Sequence, residues 1–146
     1  MKEFDAYTSP DNMLEFIVDS GCTSHSLANK RAFFNYRPYP ESARRVQMAD
    51  NSEIAIAGKG SISFQTVPDE NTDSVKLNLH KANHIPDLSG NYFSVSAAAN
   101  NGIASVFHEN CVYLYTGLEP ELLAANLIAT GQRRDDLFYL KRKTNT

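Results

Sequence analysis

Asp19, Ser20 and Gly21 form the pattern in this chain whose residue types and spacing can do hydrolytic chemistry. A carboxylate at the tip of a tight strand-to-loop turn is presented rigidly. Gly21 lets the backbone bend and approach a neighbour closely, and the Ser20 hydroxyl can tie adjacent loops together. Where two such loops meet, their carboxylates share one proton. Like charges at that distance resist ionising together, so the two apparent pKa values split. One group then acts as general base on a water while the other donates to a carbonyl, which hydrolyses an amide without a covalent intermediate. The bland reading of the same tripeptide is a turn in which Asp caps local backbone groups. No second Asp-Ser/Thr-Gly occurs, and Asp50 and Asp87 sit in different contexts. A lone carboxylate cannot be acid and base at once, so the chemistry requires two chains about a two-fold axis.

Other residues invite other chemistry. Cys22-x-x-His25 and His108-x-x-Cys111 have zinc-ligating residue types, but most of the chain lies between the two pairs and each short match is common, so no metal and no cofactor is expected. Cys22 and His25 share one tight loop with nothing marking a third orienting group, which argues against a thiol nucleophile. His80 and His84 read as surface or strand-end residues. Tyr113 and Tyr115 alternate with Val112 and Leu114 as an ordinary sheet face, and Lys141-Arg142-Lys143 reads as a solvated terminus.

The elements that must position Asp19 are mostly strands. Leu14 to Val18 is a short apolar run ending at the Asp-Ser-Gly turn, as a buried strand entering a loop would. Ser26 to Tyr36 fits a strand or one or two helical turns before Pro38 and Pro40. Val46 and Met48 alternate with polar residues, residues 49–52 carry turn chemistry, and Ile54, Ile56, Ile62 and Phe64 resume a period of two, which predicts a hairpin. Gly58 and Gly60 within that pattern mark a bulge or a close backbone approach. Val75 to Leu79 alternates as a half-buried strand. Asn91 to Asn100 suits a short helix ended by Asn101-Gly102. Ser105 to Phe107 and Val112 to Tyr115 read as two strands around a turn, Glu119 to Ala125 as a short helix, and Leu137 to Leu140 as a final apolar run.

Composition sets bounds. With 146 residues and 42% hydrophobic content, the chain suits one domain with a real core. A net charge of -3 argues against a mainly nucleic-acid role. No apolar run approaches a bilayer span, and the acidic start does not resemble a secretory signal. Two cysteines make no disulfide framework, which favours a reducing, cytoplasmic compartment.

Phe16-Ile17-Val18-Asp19-Ser20-Gly21-Cys22-Thr23-Ser24-His25 resembles the active-site segment of copia-type retrotransposon aspartic proteases. Val46 to Ser52, followed by Ala57-Gly58-Lys59-Gly60-Ser61-Ile62, is similar to that family's Ala-Asp-Gly-Ser hairpin and Gly-x-Gly strand. Ile85-Pro86-Asp87-Leu88 with Asn91-Tyr92-Phe93-Ser94-Val95 resembles its Val-Pro-x-Leu and Asn-Leu-Leu-Ser-Val segments. Leu127 to Gly131 and Leu137 to Leu140 resemble the stretch leading toward the integrase side of the polyprotein. Cys22 stands where the family usually has Ala, Asn51 where it has Gly, and Tyr92 and Phe93 where it has aliphatics. Residues 116–126 are longer than the usual connection.

The resemblance implies a mainly β, retropepsin-like closed domain with one or two short helices, homodimeric. It divides the chain into a leader or linker (1–13), a protease core (14–107) and a C-terminal extension (108–146). It implies Asp19 as the catalytic acid, with Ser20, Gly21 and Thr23 supporting the loop. Met48, Ala49, Asp50, Asn51 and Ser52 become a flap over the substrate. The implied activity is aspartic endopeptidase cleavage of a Gag-Pol polyprotein, in the cytoplasm or within virus-like particles. The implied partners are a second copy of the chain and a peptide substrate, with no nucleic acid or membrane. The rival expectation is a catalytically silent, host-retained module that dimerises or binds. A third is a latent precursor whose residues after about 107 mask the dimer edge.

Overall fold

The computed structural model describes residues 15–40, 44–48, 50–68, 74–116 and 126–142. The chain begins with β1 (Phe16–Asp19), where Phe16 and Val18 are buried while Ile17 and Asp19 turn to the other face. Next come β2 (Ser26–Leu27), a 3-10 turn at Lys30–Ala32, and β3 (Phe34–Pro38). The short pair β4 (Arg45–Gln47) and β5 (Glu53–Ala55) precedes two long strands, β6 (Gly58–Thr66) and β7 (Val75–His84). Then β8 (Asn91–Ser94) leads into the helix α1 (Val95–Asn100). The last four strands are β9 (Ile103–His108), β10 (Cys111–Thr116), β11 (Leu127–Arg134) and β12 (Leu137–Leu140).

Ten strands make one sheet in the order β3-β6-β7-β2-β8-β1-β12-β11-β10-β9, and β4-β5 forms a separate ribbon. β1 lies inside this sheet. It runs parallel to β8, with Asp19 opposite Ser94, and antiparallel to β12, with Ile17 opposite Tyr139. The sheet curls so that its two halves share one core. The rings of Phe16 and Phe64 stack with centroids 4.9 Å apart. Thr66, fully buried on β6, donates its hydroxyl to the Ile128 carbonyl on β11 at 2.5 Å. Leu27, Ile62, Phe93, Val112, Leu114 and Ala129 are completely buried in the same cluster. Withdrawing each large side chain from water contributes about 1.5–3 kcal/mol before conformational entropy is set against it.

The mainly β expectation agrees with these elements, and α1 is the one short helix among the described residues. Its extent differs from the sequence reading: Asn91 to Ser94 is strand, because Tyr92 and Phe93 alternate between a half-buried and a buried face beside β1. Ser94 then caps α1 by accepting the Ala97 N–H, and Gly102, with φ +80°, ends the turn after it. His84 is a strand-end residue as read, but it is buried rather than on the surface. The glycines carry both devices read from their pattern. Tyr36 packs against Gly58, and between Gly60 and Ile62 the ladder slips where Lys81 of β7 adopts φ +58°. Strands β10, β11 and β12, drawn from the segment read as a C-terminal extension, lie in the same sheet and core as residues 16–107. The leader at 1–13, Leu14 and the helix read at Glu119 to Ala125 lie outside the described residues.

Gly131 of β11 packs too closely for any side chain. A Cβ there would strike the Tyr139 carbonyl oxygen and come within 2.7 Å of Val112 Cγ1. Gly90, by contrast, would bring a Cβ no nearer than 3.5 Å to Ile17. Urea titration should therefore show Gly131→Ala losing about 2–3 kcal/mol, with Gly90→Ala within about 0.5 kcal/mol of the parent.

Candidate active site

The period of two along β1 turns Phe16 and Val18 into the core and delivers Asp19 to the opposite face at the strand's end. The chain then bends back, and the Gly21 N–H donates to Asp19 Oδ1 at 2.7 Å. This bond fixes one carboxylate oxygen, and the Cys22 side chain also bears on the carboxylate. A Cβ on Gly21 would sit 3.2 Å from the same Oδ1, so a larger residue would crowd the carboxylate.

The loop after Asp19 is held by Ser94, its neighbour across the ladder. Ser94 is 0% exposed. Its N–H donates to His25 Nδ1 at 2.9 Å, and its hydroxyl donates to the Cys22 carbonyl at 2.7 Å while accepting the Ala97 N–H at 3.0 Å. His25, 2% exposed, packs on the Phe93 ring, and its carbonyl accepts the Asn83 N–H at 2.8 Å. Accepting at Nδ1 requires His25 to be neutral with its proton on Nε2. Burial presses its pKa the same way, down to about 4. Burial and the Asp19 charge push the Cys22 thiol up to about 11, so it stays a thiol at neutral pH and is a poor nucleophile.

The β4–β5 ribbon stands over this loop. Its turn closes through Met48 N–H to the Ser52 carbonyl (2.7 Å) and Asn51 N–H to the Met48 carbonyl (3.0 Å). Asn51 takes φ +72°, a left-handed conformation that Asn tolerates. Asp50 Oδ1 accepts both the Ser52 N–H and its hydroxyl, bonds that hold the Asp50 carboxyl below its ordinary range. Between ribbon and loop lies a cleft of about 570 Å³, within the range of ligand sites. Val46 and Met48 form its apolar roof and Ile85, Leu88 and Tyr92 its apolar wall, with Asp19 on the floor. Asp19 is the one carboxylate among the described residues lining it.

The structure thus brings Asp19, Gly21, Thr23, Met48 and Asn51 to one cleft. Ser20 is exposed beside it. Asp50 and Ser52 shape the ribbon's turn without lining the cleft, and Ala49 lies outside the described residues. Among the described residues no three His, Cys, Asp or Glu side chains converge as a metal site. Cys111 faces His108 across the β9–β10 hairpin, while His25 Nδ1 is occupied by Ser94. The tasks of Ser94, His25 and Asn83 escaped the sequence reading. A serine preceding an alanine-rich stretch is a cap signal, but nothing local tells that the same hydroxyl holds a loop seventy residues upstream.

Residues 16–103 match the family model described as Pol polyprotein, beta-barrel domain. Over 101 residues, 69% of this chain, the sequence is 32% identical to the retrovirus-related Pol polyprotein from transposon RE2 of Arabidopsis thaliana. The chain spans 6% of that relative's length. No solved structure matches. The family match takes in Asp19, both strands of the ribbon and Ser94, and the relative places the likeness to copia-type elements in a Pol region. A curled, mainly β sheet, a family match over most of its strands and a retrotransposon relative agree: this chain belongs to the Pol polyprotein beta-barrel domain family.

Proposed function

We propose that this Pol domain is an aspartic endopeptidase that cleaves its own polyprotein, with Asp19 supplying one carboxylate and a second chain the other. The observation that carries the reading is the seating of Asp19, held by the Gly21 N–H, on the floor of a peptide-sized cleft roofed by a hairpin. The proposed enzyme is a retropepsin-like homodimer. In it, one Asp19 stays ionised and draws a proton from a water. The other is protonated and donates to the scissile carbonyl, and the two then exchange roles as the amine departs. No second carboxylate lines the described cleft, which supports taking the partner acid from another copy. Thr23, Met48 and Asn51 would hold substrate against the floor. Residues 1–13 would then serve as a linker, and the proposed setting is the cytoplasm or a virus-like particle.

The deciding experiment compares the chain with Asp19→Asn on a polyprotein or peptide substrate from acid to neutral pH. Cleavage should fall by roughly 10³-fold or more in the variant, and parent activity per chain should rise with concentration as dimers form. Equal cleavage by both would sink the assignment. A folded parent that dimerises, binds peptide and never cleaves would favour the host-retained binding module instead.

His25 sets the acid limit. The ring has an ordinary pKa of 6.5 when unfolded and about 4 in the fold, so between those values the unfolded chain binds a proton that the native chain does not. Stability is full above about pH 6.5 and falls as the solution is acidified toward pH 4, by roughly 3 kcal/mol if no other group intervenes. Urea midpoints taken across pH 4 to 7 should show this slope, and His25→Gln should flatten it.

A further inference from the structure

We propose that the side-chain amide of Asn83 is the polar recognition group of the cleft, selecting peptides that place an amide or hydroxyl side chain against it. This deepens the peptide-cleft reading and rests on it. Asn83 is 9% exposed, yet it lines the cleft. Its backbone N–H is spent on the His25 carbonyl. Its side chain has no hydrogen-bond partner among the described residues. An amide carries two donors and an acceptor, and those of Asn83 open onto the cleft, where water can reach them. A ligand that displaces this water must supply the partners itself or leave the amide unpaired.

Its place in the sheet says what it reads. Asn83, Ser26 and Tyr92 stand in register across β7, β2 and β8, and Tyr92 is in register with Ile17 of β1. Side chains in one register row share a face, so Asn83 and Asp19, two residues beyond Ile17, belong to the same floor. Strands β2 and β8 separate them. The side chain read by Asn83 is therefore some residues from the bond that Asp19 would attack. Ile85 and Leu88 line the same cleft; an apolar residue that displaced water there would leave the amide unpaired, while Asn, Gln, Ser or Thr would pair with it. Gln47 reaches the cleft from the roof, but its Nε2 is engaged by Asn51 Oδ1 at 3.3 Å.

The test reads binding rather than hydrolysis. The full chain carrying Asp19→Asn is mixed with a combinatorial library of short peptides, alone or with Asn83→Leu or Asn83→Asp added. With Asn83, the bound pool should be enriched in Asn, Gln, Ser or Thr at one position. Asn83→Leu should transfer that preference to Leu or Met, changing the affinity ratio between polar and apolar peptides by roughly 5- to 100-fold. Asn83→Asp should shift it toward Lys or Arg. A switch in either variant supports the proposal. The same preference in all three chains, or none in any, overturns it. Selection that depends on Asn83 without cleavage by the parent would remove the peptidase and keep the recognition. Cleavage with selection independent of Asn83 would do the reverse.

Discussion

The contact on which the site depends is the pairing of β1 with β8 that sets Ser94 beside Asp19. One buried hydroxyl holds the Cys22 carbonyl and caps α1, and the same residue's N–H holds His25. Each bond satisfies a group that would otherwise be buried unpaired, and such groups cost more unpaired than the bonds yield when made. The loop after Asp19 is therefore not free to choose its path. His25 passes the constraint on to β7 by accepting the Asn83 N–H, so the carboxylate, the helix and two strands are placed by one connected set of bonds.

Floor and roof are built differently. The floor belongs to a ten-stranded sheet whose halves meet through Thr66 and the Phe16–Phe64 stack. The roof is a two-stranded ribbon of three residues per strand, and such a ribbon has little stability of its own. It is anchored where Ala57 N–H donates to the His84 carbonyl at 2.8 Å. The His84 ring is locked in turn: Nε2 donates to the Ala28 carbonyl, so Nδ1 accepts the Tyr36 hydroxyl at 2.8 Å. A lightly built roof over a rigid floor can shift without disturbing the carboxylate.

What could be read from sequence was what repeats locally. The alternation around Val46 and Ile54 and the apolar runs at β1 and β10 disclosed strands because burial on one face leaves a period of two, whereas Leu137 to Leu140 showed only as an apolar run. The Asp-Ser-Gly turn was visible because a glycine there has a local reason. Ser94, His25 and Asn83 were not, since their roles arise from neighbours far away in the chain. His84 could be read as a surface or strand-end residue, but not as a buried one, because a histidine ending a strand carries no local mark of the tyrosine and carbonyl that satisfy it. The start of α1 was misjudged for a related reason: nothing within residues 91–94 shows that β1 lies alongside and pairs with them.

The antiparallel pairing of Ile17 with Tyr139 also fixes an order of events during synthesis. The strand that ends in Asp19 is made before every other described strand of the sheet, but one of its two neighbours, β12, follows more than a hundred residues later. Until β12 emerges, β1 keeps an open row of backbone donors and acceptors of the kind that recruits stray strands. Long-range closure of this sort is slow. A translation product stopped before Leu137 would carry every residue lining the cleft and still lack the strand that completes the sheet around it.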